Sequence, residues 1–373
     1  MLSLAQIIRE ELGKQGVMPF SRVMELALYC PDCGFYEKEG DNIGRGGDFY
    51  TSVSVGPLFG ELLGFQFTKW FDQWLTPGEA KDNQGLQLIE AAAHNGQLAF
   101  DVLTWLKSRR PEVFERTEYL ILEPSARRRE WQRTKLASFA EKVSWADGFP
   151  THASRVTHHA PCFTLCFSNE LLDAMPVCRF GWDAAQRTWF EWGVTTDADR
   201  FVWARLANVS PAEAHLPSSP ELLDVLPDGY IIETNPAAEA LWSRAARWLQ
   251  NGKLVTFDYG FGAVEAISPA RPDGTLRAYR QHKQVTNVLA DPGEQDLTSH
   301  VNFARIEEVG IAAGLKTEVF ETQGKFLTGL AAQAWKPDSK FGAWDQKRTR
   351  QFQTLTHPEH LGRSFRVLIQ SRD

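Results

Sequence analysis

The chain has 373 residues, 43% hydrophobic and 23% charged, the composition of an ordinary globular protein with room for one large domain or two smaller ones. A net charge of −7 argues against a broad phosphate-binding surface, so no nucleic-acid partner is expected, and an acidic surface steers basic partners instead. No apolar run is long enough to span a bilayer, and five cysteines, an odd count, suit a reducing compartment.

The first segment, Met1–Leu12, carries acids among its apolar residues, with Ser3 placed to cap. It reads as an amphipathic helix and not as a signal or transit peptide, which places the protein in the cytoplasm. A second helix opens at Pro19, with Val23, Leu26 and Ala27 on one face. Cys30-Pro-Asp-Cys33 is a lone C-x-x-C without a second pair to complete a metal site, so it reads as a turn with two free thiols and no metal is expected. Residues 34–56 are rich in glycine, and Gly47-Asp48-Phe-Tyr-Thr51-Ser52 is their most ordered-looking part. From Pro57, Leu58, Phe59, Leu62, Leu63, Phe67, Trp70, Phe71 and Trp74 recur at helical spacing. The hydrophilic stretch Thr76–Gly85 reads as a linker.

An alternating pattern follows. Leu86–Glu90, Tyr119–Glu123, Cys162–Phe167 and Lys253–Asp258 read as strands, and Gln97–Lys107, Ser125–Phe139 and Pro236–Gln250 as helices, the last with Asn235 as its cap. Such βα units predict an α/β fold with a mainly parallel, Rossmann-like sheet covered on both faces. Two late runs, Thr317–Phe320 and Phe365–Ile369, suit a closing hairpin at the sheet edge. Val177–Tyr230 is rich in tryptophan and alternates around turns, which predicts an inserted set of short antiparallel strands. Residues 263–305 are polar and read as a long irregular loop.

The chemistry concentrates where strands stop. Glu90, Glu123 and Glu170 fall at or just after strand ends, the edge at which open α/β sheets bind ligands. After Glu90, Ala91-Ala92-Ala93-His94-Asn95-Gly96 forms a tight turn into a helix, whose N–H groups face a ligand. An acid there suits a cationic cofactor better than a pyrophosphate, and S-adenosylmethionine, with its ammonium and sulfonium, is such a molecule. Glu123 suits ribose hydroxyls, and Asp147-Gly148 suits an adenine amino group, although caps and plain turns account for these acids equally. Asn169-Glu170-Leu-Leu-Asp173 is the strongest chemical candidate: on an incipient helix, Glu170 and Asp173 share a face. Paired carboxylates are what methyl transfer to a guanidinium requires, because arginine hardly deprotonates unaided.

Taken together, the motifs resemble the MidA-like S-adenosylmethionine-dependent methyltransferases, a family whose mitochondrial member is a complex I assembly factor that dimethylates an arginine. The resemblance rests on Gly47-Asp-Phe-Tyr-Thr-Ser52, Phe59-Gly-Glu-Leu-Leu-Gly64, the turn from Glu90 to Gly96, Glu123-Pro124, Ser168–Pro176 and Asp258-Tyr-Gly260. It rests also on Gly274–Arg280, Asp291–Asp296, Thr322-Gln-Gly324 and His357-Pro358. It implies a seven-stranded methyltransferase sheet formed by 81–176, 231–262 and 306–373. Residues 1–80 would cover the site, and 177–230 with 263–305 would form a substrate-side region.

It further implies that Gly47, Asp48, Thr51 and Ser52, with Glu90, Ala92, His94, Gly96, Glu123, Asp147 and Gly148, line the cofactor, and that Asn169, Glu170 and Asp173 act on the acceptor. The expected partner is a basic protein substrate, a respiratory-complex protein among the candidates. The Trp-rich insertion serves equally as a substrate wall or as a homodimer surface. Ala92 and His94 stand where the family's first motif commonly has glycine, and an alanine needs negative φ. This departure supports a second reading, a partner-binding assembly protein on the same fold that transfers no methyl group. A nicotinamide oxidoreductase is disfavoured, since the turn lacks G-x-G-x-x-G.

Overall fold

Apolar runs that alternate with amphipathic stretches bury both faces in a helix-covered parallel sheet, and this chain builds one. The computed structural model describes residues 2–38, 51–75, 84–149, 162–281 and 283–373. It divides into two units, one of Met1–Phe49, Leu172–Ala240 and Phe261–Arg305, the other of Tyr50–Leu171, Leu241–Gly260 and Ile306–Asp373. The 1–80 segment of the sequence reading is thus shared between the two, and most of the linker at Thr76–Gly85 lies outside the described residues.

The second unit holds strands β1 (Gly85–Ala91), β2 (Thr117–Leu122), β3 (Val143–Ala146), β4 (Cys162–Asn169), β5 (Gly252–Phe261), β6 (Lys316–Thr322) and β7 (Phe365–Arg372). Within it seven strands run in the order β3-β2-β1-β4-β5-β7-β6. β1 to β5 pair in parallel, and β7 runs antiparallel to both β5 and β6. The seven-stranded α/β expectation is met. The two late runs pair antiparallel at the sheet edge as expected, β6 outermost on β7, but not as a tight hairpin: helices Gln323–Ala334 and Gln346–Thr356 separate them in the chain. Those helices escaped the sequence reading, which saw only the two apolar runs.

Strand order reverses between β1 and β4, which places a ligand crevice outside their carboxyl ends. Helix α1 (Leu58–Trp74) forms as its periodicity predicts, with Phe59, Leu62, Phe67 and Phe71 buried. Phe59 meets Phe257 of β5 edge-on at 5.2 Å, and Phe67 meets Phe167 of β4 at 5.0 Å, contacts that add to the burial of the rings. Helix α2 (Gln97–Arg109) follows β1, and α3 (Ala126–Lys135) follows β2 before tightening into a 3-10 turn at Ala137–Phe139.

In the first unit, Ser3 and Gln6 cap helix Leu4–Gln15 reciprocally, through Gln6 N–H to Ser3 Oγ at 3.3 Å and Ser3 N–H to Gln6 Oε1 at 2.7 Å. A second helix spans Phe20–Tyr29. The expected Trp-rich strands form at Cys178–Asp183, Thr188–Asp197, Arg200–Val209 and Ile231–Thr234, all paired antiparallel. Residues 263–305 are more ordered than a loop: Arg277–Arg280 pairs with Lys283–Val285 and with Asp296–Thr298. Segments of three or four residues are too short for an alternation to register.

Gly252 opens β5 at φ +131, and a Cβ built there would stand 1.9 Å from the backbone oxygen of Thr164 on β4. Gly252→Ala must therefore push two parallel core strands apart. It is expected to cost at least about 2 kcal/mol of unfolding free energy, read from the urea midpoint; an unchanged midpoint would contradict this packing.

Candidate active site at the strand ends

Glu90 lies near the end of β1, 3% exposed, and its carboxylate accepts the Tyr119 hydroxyl of β2 at 2.5 Å. Burial pushes its pKa up from 4.5 to about 7, against the pull of the tyrosine bond. The turn that follows holds three left-handed residues: Ala92 at φ +56, His94 at +47 and Gly96 at +82. This overturns the expectation that Ala92 takes negative φ. Its N–H is tied to Leu122 O of β2 at 2.9 Å, His94 O accepts Gln132 Nε2 at 2.9 Å, and Gly96 N–H bonds Ala93 O at 2.7 Å. These anchors hold the backbone in a shape that glycine would adopt without strain, at about 1–2 kcal/mol for each non-glycine residue. His94 also packs its ring edge-on to Trp131 at 6.4 Å.

Glu123 follows β2, 3% exposed. Its Oε1 accepts Ser125 N–H at 3.1 Å, and its Oε2 accepts Gln132 Nε2 at 3.2 Å. Gln132 is fully buried, and its Oε1 takes the Trp145 indole N–H of β3 at 2.9 Å. One side chain on α3 thus joins the turn, Glu123 and β3. Sequence reasoning missed it, because a glutamine inside a highly charged helix looks solvated. Asp147 is exposed and pairs with Arg129, and the position of Gly148 opens onto free space. The surrounding protein therefore does not demand glycine at 148.

At the end of β4 the expected helix start is absent. Glu170 is left-handed at φ +53, and a bend and a turn follow. Phe257 O accepts its N–H at 2.8 Å, and Asp258 Oδ2 accepts the N–H of Leu171 at 3.2 Å. These captures from β5 outweigh the helix preference of the leucines, so Glu170 and Asp173 do not share a helical face. The Glu170 carboxylate accepts Ser52 N–H at 3.0 Å and Asn169 Nδ2 at 2.8 Å. Ser52 is itself buried and donates its hydroxyl to Gln323 Oε1 at 3.1 Å. Thr51 closes the adjoining turn, its hydroxyl accepting Ser54 N–H at 3.1 Å. Asp173 lies buried in the first unit, where its backbone oxygen accepts Ser299 N–H at 2.8 Å and its charge is felt by Tyr36. Gly47 and Asp48 fall outside the described residues.

The parallel register sets Ala91 opposite Ser168, so Asn169 and Glu170 leave β4 level with the start of the β1 turn. The bond to a carboxylate fixes which end of the Asn169 amide is nitrogen. Its Oδ1 is then a buried acceptor without a partner, a position that an ammonium or another donor would satisfy. An acid on β1, a two-oxygen acceptor after β2 and this orphan acceptor after β4 fit a nucleoside that carries an amino-acid cation.

The strand order, reversing between β1 and β4, is that of a seven-stranded α/β nucleoside-cofactor fold. The chain belongs to the family described as "Putative S-adenosyl-L-methionine-dependent methyltransferase", whose model matches residues 62–321. It is 25% identical to "Protein arginine methyltransferase NDUFAF7 homolog, mitochondrial" of Drosophila melanogaster, across 98% of this chain and 84% of that protein. It is 28% identical to the mouse (Mus musculus) protein of corresponding name, across 95% and 81%. A Burkholderia thailandensis protein crystallised with S-adenosyl-homocysteine shares 31% identity and superposes with a TM-score of 0.81, over 99% of this chain and 92% of that one.

The methyltransferase resemblance and its cofactor, S-adenosylmethionine, are thereby established. The cytoplasmic placement is overturned: those animal relatives are named as mitochondrial. The N-terminal segment does fold as the expected amphipathic helix, at Leu4–Gln15. No helix among the described residues is long and apolar enough to cross a membrane.

Glu90 makes stability depend on pH. Its folded pKa, about 7, exceeds the ordinary 4.5, so between those values the folded state binds more protons than the unfolded one. Stability is then greatest below about pH 4.5 for this group and falls as pH rises through 7, by about 3 kcal/mol at most. In urea titrations of the ligand-free protein, Glu90→Gln should flatten this slope; an unaltered slope would contradict the burial of an ionisable Glu90.

Proposed function

We propose that the chain transfers the methyl group of S-adenosylmethionine to an arginine side chain of a basic protein. The observation that carries this reading is the Glu170 carboxylate, which leaves β4 level with the cofactor turn and is fixed by Ser52 and Asn169. Bound there, S-adenosylmethionine supplies an electrophilic methyl group. Glu90, the left-handed turn of Ala92, His94 and Gly96, and Asn169 Oδ1 receive its amino-acid end, while Glu123 receives the ribose. Thr51 and Ser52 close over it, and Asp147 with Gly148 borders the adenine.

Glu170 orients the guanidinium, polarises one N–H and accepts its proton as the methyl group arrives. Such a fixed acceptor is needed because free arginine stays protonated near neutrality. The relatives named as protein arginine methyltransferases support this acceptor class. The alternative of a non-transferring assembly protein drew on the missing glycines; since Ala92 and His94 keep the left-handed turn, transfer is the better reading.

The test is incubation of the purified chain with methyl-labelled S-adenosylmethionine and a cell lysate, with mass spectrometry of labelled proteins. Label on arginine is expected. Glu170→Gln should slow its incorporation at least about tenfold while calorimetric affinity for S-adenosyl-homocysteine stays within about twofold, an energy change under 0.5 kcal/mol. Undiminished label in that variant would remove Glu170 from the chemistry, and label on another residue type would overturn the acceptor.

A further inference from the structure

The first unit contains a feature that methyl transfer does not use. Cys30 ends helix Phe20–Tyr29, and Cys30-Pro31-Asp32-Cys33 turns back on itself, with Cys33 N–H bonded to Cys30 O at 3.2 Å and Asp32 at φ +63. Proline at the second position with a left-handed third residue makes a type II turn. Such a turn holds its first and fourth Cα atoms within about 7 Å, and a disulfide spans about 4.4–6.8 Å. Backbone geometry therefore places the two cysteines at bridging distance before any side chain is considered.

The side chains agree. The sulfurs lie 3.0 Å apart, and both thiols are free. The turn has little room to relax: a Cβ on Gly34 would meet Cys30 N at 2.6 Å, and one on Gly293 would meet Cys33 O at 2.6 Å. Cys33 is partly exposed while Cys30 is buried, so a solute reaches Cys33 first. Burial and its neighbour push the Cys30 thiol up to about 12, which makes Cys30 the poorer first nucleophile toward a solute. The flanking residues are anchored, Tyr29 through its hydroxyl to Ala174 O at 2.9 Å and Tyr36 to Asp296 Oδ1 at 2.7 Å.

We propose that Cys30 and Cys33 are a redox modification site, a dithiol that closes to a reversible disulfide and locks the turn between Tyr29 and Tyr36. The oxidant is a peroxide. It converts the Cys33 thiol to a sulfenic acid with release of one water. The Cys30 sulfur then attacks Cys33 sulfur, the S–S bond forms, and the sulfenic hydroxyl leaves with the Cys30 proton as a second water. Two thiols lose two hydrogens and two electrons, and the peroxide is reduced to two waters.

The test is treatment of the full-length protein with hydrogen peroxide, then alkylation in acid-quenched denaturant, digestion and mass spectrometry. A Cys30–Cys33 cross-link lacking two hydrogens is expected, reversed by dithiothreitol, with Cys162, Cys166 and Cys178 still open to the label. Cys30→Ser should abolish the cross-link and leave Cys33 as a trappable sulfenic acid; an unchanged near-ultraviolet circular dichroism spectrum and thermal melt certify that the variant is folded. Alkylation of both Cys30 and Cys33 after peroxide, or passage of wild-type Cys33 to sulfinic acid without a cross-link, would overturn the assignment.

Discussion

The cost of burying carboxylates is the constraint on which the catalytic unit depends. Glu90, Glu123 and Asp258 are each at most 3% exposed, and a buried charge without donors costs several kcal/mol. Every one is met from elsewhere in the fold: Glu90 by Tyr119, Glu123 by Gln132 and Ser125, and Asp258 by the N–H groups of Leu171 and Tyr259. These bonds link β1 to β2, β2 to α3, and β5 to the segment leaving β4. Glu90 and Glu123, which read as ligand-binding groups, are therefore, with Asp258, also the fasteners of the sheet's carboxyl edge.

The same bonds explain why four atypical features occur together. Ala92 and His94 are left-handed because their turn is tied down at Leu122 and Gln132, and Glu170 is left-handed because Phe257 and Asp258 claim successive N–H groups. Asn169 Oδ1 goes unpaired because its amide nitrogen is committed to Glu170. Strain and an unmet acceptor at one sheet edge are energy that the rest of the fold supplies.

The sheet was largely legible from the chain. Apolar runs such as Leu86–Glu90 and Cys162–Phe167 are too short for helices and are followed by clear helical periods. The Trp-rich insertion was readable from its alternation. The acids at strand ends were readable for the same reason, since a strand that stops exposes its last polar residue. Their partners were not: Ser52 reaches Glu170 across 118 positions, and no local pattern encodes that. The segment Glu170–Asp173 misled because its leucines favour helix, a local preference that two hydrogen bonds from β5 override. The left-handed Ala92 was hidden because an alanine, by itself, argues against the conformation that tertiary anchors impose.

The central claim is that a buried, proton-bearing acid on β1 receives a cationic cofactor, and linkage between binding and ionisation tests it most directly. Calorimetry of S-adenosylmethionine binding at pH 6.5, in buffers of different ionisation enthalpy, counts the protons exchanged. With Glu90 near 7 in the free protein, it carries about three quarters of a proton at pH 6.5, so a net release of up to about that amount is expected, lost in Glu90→Gln. Binding without proton release in the native chain would contradict the account.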